Sequence, residues 1–337
     1  MKKKAVLLLA LAFLFTLSAV YGQRRPQKVI IKLASLVPEN TDWGQTVSKI
    51  AAEWDRVTNG EVELRIYANG TQGNEEEVLR KLNMNTIQAA ILTSVGLNRI
   101  APEIMTLSVP FMIRSDAELD EVFKNVKGDF EAKINSKNYV SLTIVKGGWL
   151  KFFSRNPVYV PADLKRQKIA GFPSEPEMNQ VFRQMGYQVV LVDPNRLLIA
   201  LNSGACDSIF QSPIFTAGAQ YFGVAKNMSS INIAPFLGAI VLNKQAWESI
   251  PAQYRGELMR VTRRIGNELE NSLLKLEAET VKLMKNNGLS ENLITPAQMQ
   301  EWYLDADRAI NSLLGTTYDR AMYNKIDGIL KAYRSRQ

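Results

Sequence analysis

Between Val29 and Leu92 the chain alternates between two hydrophobic periods, and that alternation narrows the folds open to it more than any other feature. Val29-Ile30-Ile31-Lys32-Leu33-Ala34 reads as a buried strand, followed by a loop through Pro38-Glu39-Asn40. Thr41 or Asp42 can cap the next helix, in which Trp43, Val47, Ile50, Ala51 and Trp54 recur at helical spacing. Asn59-Gly60 ends it, and Val62 to Tyr67 is a second strand. Glu75-Glu76-Glu77 opens another amphipathic helix carrying Val78, Leu79 and Leu82, and Ala89 to Leu92 is a short apolar strand. Three adjacent acids resemble a metal site, but a helix N-terminus favours negative charge without any metal. Such a β-α-β-α-β run predicts an open α/β sheet with helices on both faces.

The pattern restarts mid-chain. Tyr139 to Val145, Trp149 to Phe153 and Lys168 to Phe172 read as strands; Pro176 to Met185 is a helix, Gln188 to Val192 a strand, and Asn195 to Leu201 a helix closed by Ser203-Gly204. A second α/β unit fits two lobes with a cleft between them, and ligands of such sheets bind at the carboxyl ends of strands. The length of 337 residues also exceeds what one core sustains. From Ala252 to Asn287 the pattern becomes one long helix, with Leu258, Val261, Ile265, Leu269, Leu273, Leu276 and Leu283 on one stripe. Packing along the protein's own lobes explains that stripe more simply than a coiled-coil partner.

The start of the chain reads as an export signal over residues 1–22. Lys2, Lys3 and Lys4 precede an apolar run from Ala5 to Ala19, and Val20-Tyr21-Gly22 supplies a cleavage site before Gln23. The run is shorter than the roughly 20 residues of a spanning helix. The expected address is periplasmic. Removing three lysines lowers the basic count from 41 to 38 against 33 acids, leaving a net charge of +5. The charges are scattered, so nucleic-acid binding is not expected.

The chain contains no histidine, which excludes His-based triads and most catalytic zinc sites. Its single cysteine, Cys206, permits no internal disulfide and is expected to be a buried, inert thiol. No nucleotide fingerprint, phosphate loop or nucleophile elbow occurs. Ser272 and Lys275 form an S-x-x-K string, but inside the long amphipathic helix. No catalytic residue, cofactor or metal site is therefore expected. A chain that binds without reacting is the consistent reading.

At this point the residues resemble the DctP-like substrate-binding proteins of TRAP transporters over nearly the whole mature chain. The likeness runs through Ile31-Lys32-Leu33-Ala34 with Asp42-Trp43-Gly44, then Thr58-Asn59-Gly60, Tyr67-Ala68-Asn69-Gly70 and Val109-Pro110-Phe111-Met112. It continues through Pro161-Ala162-Asp163-Leu164-Lys165 with Lys168-Ile169, then Leu201-Asn202-Ser203-Gly204-Ala205-Cys206-Asp207 and Trp247-Glu248-Ser249-Ile250-Pro251. The resemblance implies a two-lobe, Venus-flytrap α/β fold, with an open mixed sheet in each lobe and a long helix spanning both. The lobes are expected over 28–148 plus 237–277 and 149–236 plus 278–330. It implies delivery of a captured ligand to a membrane permease; an alternative partner is a TPR-repeat periplasmic scaffold.

Two departures bear on the ligand. Family members that bind carboxylates carry an arginine directly after the Lys-Ile pair, where Ala170 stands here; a second common arginine corresponds to Leu150. Arginine suits carboxylates because its planar fork bonds both oxygens. Lys151 points to the opposite strand face from Leu150, and Lys168 lies two residues from Ala170. An asparagine typical of the loop after Asp207 is Gln211. Without a paired cation, burying a carboxylate costs several kcal/mol. The expected ligand is therefore neutral or hydrophobic, held by Trp43, Trp149, Leu150, Phe152, Ala170, Phe172 and Phe210. Asn40, Val95, Gln211, Phe215 and Phe236 complete the candidate ligand-binding set.

Overall fold

The computed structural model describes residues 28–337. The expected signal segment and its cleavage site lie outside these residues. The first unit follows the expected alternation closely. Strand β1 (Val29–Ala34) leads to helix α1 (Asp42–Val57), β2 (Val62–Tyr67), α2 (Glu75–Asn83), β3 (Ala89–Thr93) and α3 (Ser94–Ile100). Thr41 caps α1 by accepting the Gly44 N–H, and Asn74 and Glu77 form a reciprocal capping box at α2. After a 3-10 turn at Pro102–Ser108 comes α4 (Asp116–Asn135), which the periodicity reading does not include.

The structure joins two expected strands into one. Tyr139–Val145 and Trp149–Phe153 belong to a single 16-residue strand, β4 (Tyr139–Ser154), with a bulge between Lys146 and Trp149. Gly147-Gly148 reads as an interruption in sequence, yet a bulge lets the strand bend while pairing resumes beyond it. Beyond β4 follow α5 (Pro161–Lys165), β5 (Lys168–Gly171), α6 (Pro176–Gln184), β6 (Gln188–Leu191), α7 (Leu197–Ser203), β7 (Ser208–Gln211), α8 (Pro213–Gly218) and β8 (Asn227–Ser229). The chain closes with β9 (Ala234–Asn243), α9 (Lys244–Ser249), α10 (Ala252–Asn286), β10 (Ser290–Asn292), α11 (Pro296–Leu313) and α12 (Arg320–Arg334).

The strand order is β2-β1-β3-β9-β4-β7-β5-β6, with β8 pairing both β4 and β10. β1 pairs β2 and β3 in parallel, and β5 pairs β6 and β7 in parallel; β3-β9, β9-β4 and β4-β7 are antiparallel. The two lobes meet on β4. Its residues through Leu150 pair with β9, and from Lys151 onward it pairs with β7.

Period-two alternation distributes the strand residues between cores. Ala89 and Ile91 face one cluster with Leu33, Trp54 and Val261, while Ala90 and Leu92 face another with Leu107, Val126 and Phe130. Phe152 and Phe153 likewise diverge into the two second-lobe clusters. α10 spans both lobes: Leu258, Val261 and Ile265 pack in the first, Met284 in the second. One expected boundary needs correction. Met322, Ile326 and Leu330 of α12 join the first-lobe cluster against α4, so the end of the 278–330 segment returns to the first lobe. Helical spacing reports that a face is buried, not which lobe buries it.

Candidate functional site: a cavity where the lobes meet

A cavity of about 190 Å³ opens at the junction. Given roughly 30 Å³ per water molecule, it has room for a small molecule. Its walls come from strand ends of both lobes: Thr93 closes β3, Leu150 and Phe236 lie on the crossing strands β4 and β9, Phe172 follows β5, and Phe210 and Gln211 end β7. This is the carboxyl-end placement that open α/β sheets favour.

Seven of the twelve candidate residues line this cavity: Val95, Leu150, Phe172, Phe210, Gln211, Phe215 and Phe236. The other five do not. Asn40 is exposed in the loop before α1. Trp43 lines a separate crevice of about 20 Å³ and packs against Gly238, where an added Cβ would lie 2.8 Å from its ring. Trp149 is 2% exposed in the first-lobe core, its indole Nε1 donating to Asp116 Oδ1 at 2.8 Å. Phe152 is buried in a ring cluster with Phe182, Tyr187, Phe210 and Trp302. Ala170 is 3% exposed among Phe153, Val192 and Leu197. Residue type alone does not separate a core ring from a wall ring.

Apart from Gln211, sequence reading missed the polar part of the lining. Ser94, Asn98 and Ser108 contribute, as do Glu175 and Glu177. Asn98 is 8% exposed, and its side chain makes no hydrogen bond to the described residues. The available signal was the position of Ser94 and Asn98, one turn apart at the start of α3 just beyond a strand end. Glu75 stands behind that helix start. Its carboxylate accepts the Thr93 N–H at 2.5 Å, the Thr93 hydroxyl at 2.9 Å and the Gly96 N–H at 2.7 Å. The acids at 75–77 therefore do more than face a macrodipole: Glu75 is buried and ties α2 to α3.

The two lysines near Leu150 and Ala170 serve the scaffold. Lys168 Nζ donates to the Gly204 carbonyl, and Lys151 Nζ donates to Asn232 Oδ1 at 2.8 Å. Asp207 accepts the Lys168 N–H at 3.0 Å, so the Lys168 and Asp207 segments of the resemblance join β5 to β7. Cys206 is buried as expected, and burial, with nearby Asp207, pushes its thiol up to about 11. A thiol so placed is a poor nucleophile.

Across the cavity mouth Arg99 of α3 donates to Glu177 Oε1 of α6 at 2.8 Å and to the Ser174 carbonyl at 3.2 Å. These bonds join the lobes. Beneath the junction, Gly147 lets the Phe236 ring approach, since an added Cβ would sit 2.5 Å from its Cδ1. Gly148, at φ +95°, faces Glu277 of α10.

Two lobes joined by crossing strands, with a cavity between them walled by both, define a solute-binding protein. The chain belongs to the bacterial extracellular solute-binding protein family 7, the DctP family, whose model matches residues 33–314. It is 24% identical over 234 residues to the 2,3-diketo-L-gulonate-binding periplasmic protein YiaO of Escherichia coli, covering 69% of this chain and 71% of that one. It is 22% identical over 287 residues to the C4-dicarboxylate-binding periplasmic protein DctP of Rhodobacter capsulatus, covering 82% and 84%. A TRAP periplasmic solute-binding protein from Ralstonia eutropha, solved with bound (S)-2-acetolactate, superposes with a TM-score of 0.82 at 20% identity, covering 90% of this chain and 99% of that one. Proteins of this family bind solutes and are not enzymes.

Proposed function

We propose that this chain is exported to the periplasm, captures a small neutral or hydrophobic organic molecule between its lobes and delivers it to a TRAP membrane permease. In this reading residues 28–148 and 237–277 move as one lobe and 149–236 with the following segment as the other, with α12 carried by the first. The Ralstonia protein was solved with a carboxylate ligand. The observation that supports a different ligand here is the lining itself: no lysine or arginine is among the residues that wall the cavity. Leu150 takes one of the positions where carboxylate-binding relatives resemble each other in carrying arginine. Leaving a buried carboxylate unpaired is strongly unfavourable. Closure would follow from contacts that the ligand makes only when both lobes surround it.

Native mass spectrometry of the exported protein, purified without refolding, tests this reading. A co-purifying molecule without a carboxylate is the expected result. A stoichiometric, tightly held dicarboxylate overturns it.

A further inference from the structure

We propose that the polar wall of the cavity recognises an amine, so that the captured solute is an organic cation with a hydrophobic body, its ammonium group set against Glu175 and Asn98. This rests on the cavity being the ligand site; it keeps the hydrophobic body of that reading and puts a cationic end in place of a neutral one. The charged residues of the lining are Glu175 and Glu177, both acidic. Arg99 engages Glu177, while the Glu175 carboxylate has neither an ion-pair nor a hydrogen-bond partner among the described residues. The Ser94 hydroxyl is buried without a partner, and Asn98, 8% exposed, lines the same wall with no hydrogen bond from its amide to the described residues. Buried polar groups are ordinarily satisfied, so unpaired ones converging on one cavity mark where a ligand's polar group belongs.

The polarity of that group follows from what surrounds it. An anion would seek the free N–H groups at the start of a helix. At α3 the amides of Thr93 and Gly96 already bond the Glu75 carboxylate. The wall thus offers the Glu175 carboxylate and the Asn98 amide, with the Thr93 and Gly96 backbone donors already taken. The same cavity is lined by Phe172, Phe210, Phe215 and Phe236. Aromatic faces carry negative potential and attract ammonium groups, and carboxylates reinforce that preference.

Burial, then the charges of Glu75 and Glu177, raise the Glu175 carboxyl to about 7. An ammonium ligand needs Glu175 ionised, so its binding expels a proton and tightens as pH rises through 7. Around Glu175 stand Glu75 of α2, Glu177 of α6 and Arg99 of α3, and the Arg99–Glu177 pair leaves the local balance negative. A carboxylate ligand would show the opposite trend, binding best when Glu175 holds its proton.

Calorimetry with benzylamine, benzyl alcohol and benzoate on protein freed of co-purifying solute separates the cases. Benzylamine should bind most tightly and gain about tenfold in affinity between pH 6 and 8, the change expected for a carboxyl titrating near 7. Glu175→Gln should lower benzylamine affinity roughly tenfold, and by much more than it lowers that of benzyl alcohol. Benzyl alcohol binding as tightly as benzylamine overturns amine recognition but leaves the hydrophobic cleft standing. Benzoate binding most tightly overturns both. The pH trend of the unmodified protein reads out the same inference without relying on the variant.

Discussion

Glu270 and Glu277, seven residues apart on α10, accept the backbone N–H groups that flank the β4 bulge: Glu270 takes that of Lys146 at 2.9 Å and Glu277 that of Trp149 at 3.2 Å. Seven residues are two helical turns, so both carboxylates lie on one face of the spanning helix. The bulge lies just before β4 passes from one lobe to the other, and the helix satisfies the two amides at the bulge's edges. Burial raises the Glu277 carboxyl, while its bond from the Trp149 amide opposes that rise.

Gly148→Ala should therefore destabilise the protein by about 1–3 kcal/mol, since it combines a strained positive φ with a Cβ placed 2.2 Å from Glu277 Oε2. Urea denaturation measures this directly. An unchanged midpoint would show that the bulge relaxes freely and that Glu277 does not hold it.

Leu150 and Ala170 should respond differently to arginine. Leu150 lines the cavity, so Leu150→Arg should keep the fold, weaken the natural ligand at least about tenfold and favour carboxylates. Ala170 sits in the core beside Phe153 and Leu197, so Ala170→Arg should lower stability by about 3 kcal/mol or more. Thermal melts with and without benzoate discriminate the two. Equal melting temperatures for both variants would place Ala170 at the cavity instead.

Arg99→Ala removes the contacts across the cavity mouth. The pair is partly exposed, with Arg99 and Glu177 side chains 40% and 28% accessible, so its loss should cost under about 1 kcal/mol of folding stability. The ligand off-rate should rise roughly two- to fivefold, the same energy expressed in dissociation. Stopped-flow displacement checks this, and an unaltered off-rate would remove any role in holding the lobes closed.

Glu175 gives the empty protein a pH dependence of definite sign. Its carboxyl is raised in the folded state from 4.5 to about 7. Below 4.5 both states hold the proton and no penalty exists. Above it the unfolded chain releases the proton while the folded chain keeps it, so stability falls until about pH 7 and is then level in this group. Comparing urea midpoints at pH 5 and 7.5, Glu175→Gln should gain relative to the parent at the higher pH. No relative gain would mean that Glu175 titrates normally.

The alternation of periods, together with two-residue spacing in strands, determined β1 to β3 and the two helices between them nearly to the residue, because each of these elements buries one regular face; α3 and α4 were not legible in this way. The long stripe from Leu258 to Leu283 and the family motifs likewise determined a binding protein with a spanning helix. Tertiary structure decided what those signals lack. Tyr139–Ser154 is one strand because pairing with β9 and β7 and bonds from Glu270 and Glu277 bridge a glycine pair that reads locally as a break. Phe152 and Phe210 are both apolar strand residues in contact, yet one is sealed in the core and the other walls the cavity. The polar wall of Ser94, Asn98 and Glu175 joins residues nearly eighty positions apart. Hydrophobic periodicity is set by neighbours within an element, whereas a cavity is set by which elements the fold brings face to face.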